Sequence, residues 1–262
     1  MKRLLPLAAL FVVCACAGAR AQGDVPGLVD AFGKVNMSDL AARLDNFAIE
    51  LQNDPSARGL FVVYPRPDRL PGWYMRLAYW GKGYLIKVRG FDASRVEVVN
   101  GGYRDEVKYE LWALRPGAAS PVEPYDWAAA LAREKSPVLF DRDVYEEQQG
   151  GPAPEGSFGD YTDARDRYEP FVSALRADPA ARGYVIAYRT RRAPRGSDRK
   201  LAGREKLSLM RLHALGAGRV EAVGGGVRRE RTVEFWIVPP GAEPPRPAPE
   251  PTGAKRTRAK RR

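Results

Sequence analysis

Cysteine and histidine are almost missing from this chain. Its 262 residues include two cysteines, Cys14 and Cys16, and one histidine, His213. Both cysteines fall inside an N-terminal segment that reads as an export leader. Once that leader is cleaved, the rest of the chain has no disulfide and no thiolate metal ligand, so its stability rests on core burial. A lone histidine excludes His-cluster metal sites. Long apolar runs are also scarce. Residues 4–16 form one of about 13 residues, short of the ~20 that a membrane-spanning helix needs, and no later run approaches that length. Neither a phosphate-binding glycine loop before a helix nor a nucleophile elbow is present; "VGGGV" at Val223 precedes a strand. These absences weigh against metal, thiol, nucleotide and triad chemistry, and no cofactor is expected.

What is there begins with the leader. Lys2 and Arg3 precede the apolar stretch, and "ARA" at 19–21 is a small-x-small cleavage site, which makes Gln22 the first mature residue. The expected location is the periplasm or the extracellular space. Two alternatives are an uncleaved anchor and lipid attachment at Cys16, where "VCAC" resembles a lipobox apart from Cys14. The net charge is +11, but its placement matters more than its size. Three cations sit in the leader and six in the last eight residues, leaving about +2 for the body. The high pI is therefore no sign of a nucleic-acid-binding fold. Six cations in a row of eight, Lys255, Arg256, Arg258, Lys260, Arg261 and Arg262, suit an anionic envelope polymer or lipid surface, or simply solvate a tail.

The body repeats itself. Residues 43–121 align without a gap on 167–245, an offset of 124, and about 29 of 79 positions are identical. "RVEVVNGGYRDEVKYELWALRPGA" at Arg95 returns as "RVEAVGGGVRRERTVEFWIVPPGA" at Arg219. A helix is expected before each "DP", stopped at Asp54-Pro55 and Asp178-Pro179 because the residue before proline avoids helical angles. Apolar β-branched runs at 59–64 and 183–188 read as buried strands. Second helices are expected over 75–88 and 201–215, strands over 96–99 and 220–223, and last strands over 107–114 and 233–238. An opening strand is expected near 31–35 and at 138–145. The expected fold is α/β (α+β): two tandem β-α-β-α-β-β open-sheet modules with helices on one face. The domain reading is a leader (1–21), a first module (22–121), a linker (122–136) with one short helix, a second module (137–243) and a disordered proline-rich and basic tail (244–262). A Gly/Pro/acid insertion at 146–160 belongs to the second copy alone.

The strings "ARLDNFAIELQNDPSARG", "YL…RGFDASRVEVVNGGYRDE" and "ELW" followed by proline and "GA" resemble a family of exported bacterial proteins of unknown function. The match is close over 42–118 and looser over 167–242. The order strand, helix, strand, "YLI-x-x-RG-x-x-x-x-RV", strand also resembles the OmpA-like C-terminal domain. That resemblance implies a periplasmic location and non-covalent peptidoglycan binding, through an aspartate after the central strand and an arginine seven residues before the "YL" position. Here that arginine position falls on Leu77 and Leu201; Arg76 and Lys200 are one residue, about 100° of helix, away. Asp68 and Asp198 are the nearest acids. The resemblance thus implies the fold without this ligand pair.

Among candidate sites, the repeated Gly101-Gly102-x-Arg104 and Gly225-Gly226-x-Arg228 could hold an anion through exposed backbone N–H groups and an arginine. The simpler reading, favoured here, is a hairpin turn at positive φ. Glu106 and Glu110 recur as Glu230 and Glu234. On one strand they would face the same side about 13 Å apart, too far for a glycosidase pair. They are expected to be solvated acids pairing with Arg104 and Arg228. Trp112 and Trp236 are expected to pack on the sheet, and Arg58 and Arg182 to make surface ion pairs. His213 is expected at a helix end on the surface. The functional expectation is a non-enzymatic exported protein with a binding or structural role at the envelope. The alternative is a cell-wall glycan or peptide hydrolase using sheet carboxylates.

Overall fold

The computed structural model describes residues 27–145 and 164–250. The expected leader and its cleavage site, the whole Gly/Pro/acid insertion (146–160) and the six tail cations lie outside the described residues.

The first module runs β1 (Gly27–Phe32), α1 (Met37–Asn53), β2 (Arg58–Tyr64), α2 (Pro71–Lys87), β3 (Val96–Asn100) and β4 (Lys108–Leu114). A short helix α3 (Trp127–Arg133) follows. The second module repeats the series with β5 (Val138–Tyr145), α4 (Ala164–Ala177), β6 (Arg182–Arg189), α5 (Ser197–His213), β7 (Val220–Val227) and β8 (Arg231–Val238). The sheet orders are β1-β4-β2-β3 and β5-β8-β6-β7. In each module the central strand pairs in parallel with the third and antiparallel with the fourth. The expected β-α-β-α-β-β order, its duplication and the mixed α+β class are therefore present.

Alternation along the strands explains the layers. Phe61, Val63, Tyr109 and Leu111 share one core with Leu44, Phe47 and Leu51 of α1 and Leu85 of α2. Their neighbours Leu60, Val62, Tyr64 and Leu114 gather on the opposite, helix-free face. Each module also carries one arginine strut. The Arg95 guanidinium donates to the carbonyls of Leu51 (2.8 Å) and Ala57 (2.9 Å). Arg219 donates to the equivalent Leu175 (2.5 Å) and Ala181 (3.2 Å). The Leu51 and Leu175 carbonyls are left unpaired in the last turns of α1 and α4, and the Ala57 and Ala181 carbonyls belong to the turns that lead into β2 and β6.

Several boundaries differ from expectation. α2 and α5 begin four residues earlier than the sequence reading placed them, at Pro71 and Ser197. Proline has no N–H to lose at the first helical turn, so "PGW" opens α2 rather than preceding it. β1 sits at Gly27–Phe32 instead of 31–35, and a bulge between Leu28 and Asp30 disturbs its register. The Gly-Gly segments are not hairpin turns. β2 lies between β3 and β4, and β6 between β7 and β8, so each connection crosses a strand.

The reading of 244–250 as part of a disordered tail is also corrected. The chain after β8 returns across the open face of its sheet. The Ala248 N–H donates to Tyr188 Oη (3.1 Å), and the Glu250 N–H to the Val227 carbonyl (2.9 Å). The linker does the same in the first module, where the Tyr125 N–H donates to the Asn100 carbonyl (2.8 Å). Tyr125 lies near Gly102 and Pro249 near Gly226, again at the offset of 124. The duplicated unit thus includes a strap beyond its last strand. Proline-rich chain suits this part because it is extended before it docks.

Candidate functional site

The open faces carry the most concentrated repeated chemistry. Glu110 and Glu234 are not solvated acids: they are 6% and 1% exposed. Glu106 lies ahead of β4 with its side chain 85% exposed, so the two glutamates of the first copy do not share a strand face. Glu230 likewise precedes β8 and is exposed. In the first module Glu110 Oε2 accepts from Tyr64 Oη (3.1 Å) and Trp112 Nε1 (2.9 Å), while Lys108 Nζ stands 2.6 Å from Oε1. Burial raises the Glu110 pKa, but the lysine, indole and phenol donors outweigh it and hold the carboxyl below its ordinary value. Burial together with this carboxylate pushes the Tyr64 phenol up.

The second module keeps the tyrosine and tryptophan and changes the cation. Tyr188 Oη and Trp236 Nε1 each donate to Glu234 Oε2 at 3.2 Å. Oε1 receives Arg228 Nη1 (2.8 Å) and both Nε (3.1 Å) and Nη2 (3.0 Å) of Arg142. The repeated arginines lie over the repeated tyrosines. The Arg104 guanidinium is 4.1 Å from the Tyr64 ring centre, and Arg228 is 3.4 Å from that of Tyr188.

The glycine pairs serve these tyrosines. A side chain on Gly101 or Gly225 would meet the Tyr64 ring at 2.5 Å or the Tyr188 ring at 2.4 Å. Gly102 and Gly226 have φ of +89°, which glycine alone adopts at no cost. Their N–H groups are not offered to a ligand. The Gly101 amide donates to the Val63 carbonyl (2.8 Å), Gly102 to Asn100 Oδ1 (2.9 Å) and Gly226 to Asp198 Oδ2 (3.0 Å). The anion-nest reading loses those donors, and Arg104 and Arg228 remain as its cations.

Beside Glu234 an open groove of about 490 Å³ runs between the strand ends and the strap, lined by Arg142, Arg228, Arg229, Glu230, Thr232 and Glu250 among others. The Arg228 side chain is largely buried there, and Arg142 is partly open to solvent.

β5 joins this groove to the contact between modules. Arg142 pairs across the sheet with Glu234 and points to the open face. Asp141 and Asp143 point the other way, toward the helices. Arg76 of α2 reaches across from the first module. Its Nη2 lies 2.5 Å from Asp141 Oδ1 and 2.8 Å from Asp143 Oδ1, and its Nε donates to Asp141 Oδ2 at 3.0 Å. Arg167 pairs with Asp143 from α4. Burial pushes the Asp141 carboxyl up, opposed by Arg76. In the sequence Arg76 stands out only as a residue one step from a ligand position; its partner lies 65 residues away and carries no local signal. Arg142 was missed for the same reason.

His213 is not a surface residue. It is 5% exposed, with Nδ1 3.1 Å from Glu169 Oε2, so it links α5 to α4. Arg58 makes an exposed pair with Glu97 (3.3 Å), as anticipated. Among the described residues no cluster of metal-binding side chains occurs, and no helix is long and apolar enough to cross a membrane. Comparison with family models, curated proteins and solved structures found no match to this chain, so its functional reading rests on its own residues.

Proposed function

We propose that this is an exported, non-catalytic protein with a binding or structural role at the cell envelope. One observation carries the non-catalytic part. The buried carboxylate that a hydrolase would recruit is tied up by donors in both copies, Glu110 by three side chains and Glu234 by four. A carboxylate so engaged is a poor nucleophile or proton acceptor, because reaction requires those bonds to break first. The duplicated Tyr-Glu-Trp-Arg cluster is better suited to stiffening a sheet face than to turning over a substrate.

The envelope part is supported by the leader and by the cationic end of the chain. Each tail cation contributes about 1 kcal/mol near an anionic surface, an attraction that salt screens. The test uses the mature chain from Gln22 and the same chain ended after Pro251, incubated with insoluble peptidoglycan and with anionic vesicles at low and high salt. Full-length protein is expected to sediment with them and to release as salt rises, while the truncated form fails to bind. Equal binding by the truncated form at high salt would make the modules the binders. Turnover of wall glycan or peptide by the mature chain would restore the hydrolase reading.

A further inference from the structure

Duplication provides an internal comparison for the groove. Both open faces keep the tyrosine, glutamate, tryptophan and arginine, yet three positions around Glu234 differ from those around Glu110. Strand register sets Arg142 where the first module has Ala31, each opposite its glutamate. The offset of 124 sets Arg229 where the first has Asp105, and Thr232 where it has Lys108. Folding does not require these changes, since the first module satisfies the same carboxylate with one lysine and two ring donors.

Their combined effect is to open and charge the space beside β8. Thr232 is short and turns its hydroxyl to the Glu230 carbonyl (3.0 Å), so no long side chain crosses the sheet face there. Arg142 spends its Nε and Nη2 on Glu234. Arg228 spends Nη1 on Glu234 and Nε on the Ala248 carbonyl (3.2 Å). A guanidinium carries five N–H groups, so each keeps donors beyond these bonds. Arg229 adds a third cation, and its own amide is held by Glu250 Oε2 (2.8 Å). Glu230 and Glu250 bring acceptors to the same groove. Its volume falls in the range of small-molecule sites.

We infer that the groove of the second module binds an acidic sugar, free or at the end of a polymer, with its carboxylate or phosphate on Arg142, Arg228 and Arg229 and its hydroxyls donating to Glu230 and Glu250. The arginine fork matches the planar geometry of such anions. The acids disfavour a purely anionic ligand and suit one with donors beside its charge. This inference rests on the binding role proposed above and assigns it a site and a ligand class.

Calorimetric titration of the mature chain tests it, with glucuronate, glucose 6-phosphate and, as the neutral control, glucose. At least one of the two anionic sugars is expected to bind saturably, and glucose not to bind. Arg229→Asp and Thr232→Lys each place the first module's residue in the second. Arg229 is exposed, so Arg229→Asp leaves the fold intact, and each variant is expected to weaken binding tenfold or more. Ending the chain after Pro251 is expected to change nothing. Absent saturable binding, equal binding of glucose, unchanged affinity in Arg229→Asp, or loss on truncation each overturns the assignment. If the mature chain still sediments with wall polymer or anionic vesicles in that case, the envelope role stands and only the groove is lost; if it does not, both readings fall.

Discussion

Glu110 and Glu234 show how one residue type is held by two different charge arrangements. Each accepts from a phenol and an indole on the same oxygen; the other oxygen faces one lysine in the first module and two arginines in the second. Hydrogen bonds to a charged group contribute about 1.5–3 kcal/mol each, so Glu234→Gln should lower unfolding free energy by about 2 kcal/mol in a urea titration. A variant as stable as the parent would show that the cluster is incidental. Acid provides a second check. The Glu110 pKa is held below its ordinary value of 4.5 in the folded chain. Its contribution is therefore complete above about pH 4.5 and is lost as pH falls through the lower folded value. Asp45, lowered by Tyr84 and Arg89 against burial, and Glu169, lowered by His213 against burial, act in the same direction. Melting temperature should fall on acidification below pH 4.5, and Glu110→Gln should flatten that fall.

At the level of elements, the connection after the third strand is the most informative segment. Glycine is needed there twice, for different reasons: the first lets a tyrosine ring lie against the backbone, and the second turns the chain at positive φ under the strap. Tyr188 is fully buried and cannot retreat from a methyl group placed 2.4 Å from its ring. Gly225→Ala should cost about 1–3 kcal/mol, as overpacking usually does. Gly203 provides the contrast, because it lies within α5 with no neighbour within 4 Å of an added methyl. Gly203→Ala should stabilise the protein by up to about 1 kcal/mol, the helix-propensity difference. Thermal unfolding of the two variants side by side decides the matter, and a stabilising Gly225→Ala would contradict the close approach.

For the whole molecule, the repeat matters because its two copies are joined through an ionic contact that neither contains alone. Asp30 and Arg43 form an edge-strand-to-helix pair within the first module (2.7 Å). In the second module Arg167, the counterpart of Arg43, pairs instead with Asp143, two residues beyond Asp141, the register counterpart of Asp30, and both aspartates also receive Arg76 from the other module. Removing one member of a largely buried ionic group costs about 3–5 kcal/mol because the partner is left uncompensated. Arg76→Met should therefore lower stability by about 3 kcal/mol and separate the unfolding of the modules into two steps, read by calorimetry. A single unchanged transition would mean that the modules are coupled by apolar packing alone.

Local pattern in the sequence determined the order of helices and strands, the duplication and its offset, the helix-facing core and the cysteine-free chemistry of the body. Each is written in residues close together in the chain: Asp-Pro stops, apolar runs, and strings such as "NGGYRDE", which returns as "GGGVRRE". Tertiary structure alone decided that β3 and β4 do not pair, that Glu110 and Glu234 are buried, that His213 faces Glu169, that the proline-rich segment to Glu250 straps the sheet, and that Arg142 and Arg76 serve the groove and the module contact. The physical reason is common to all five. Strand order and burial depend on which distant segments meet, and a charged side chain looks solvated in a sequence until the partner that compensates its burial is brought beside it.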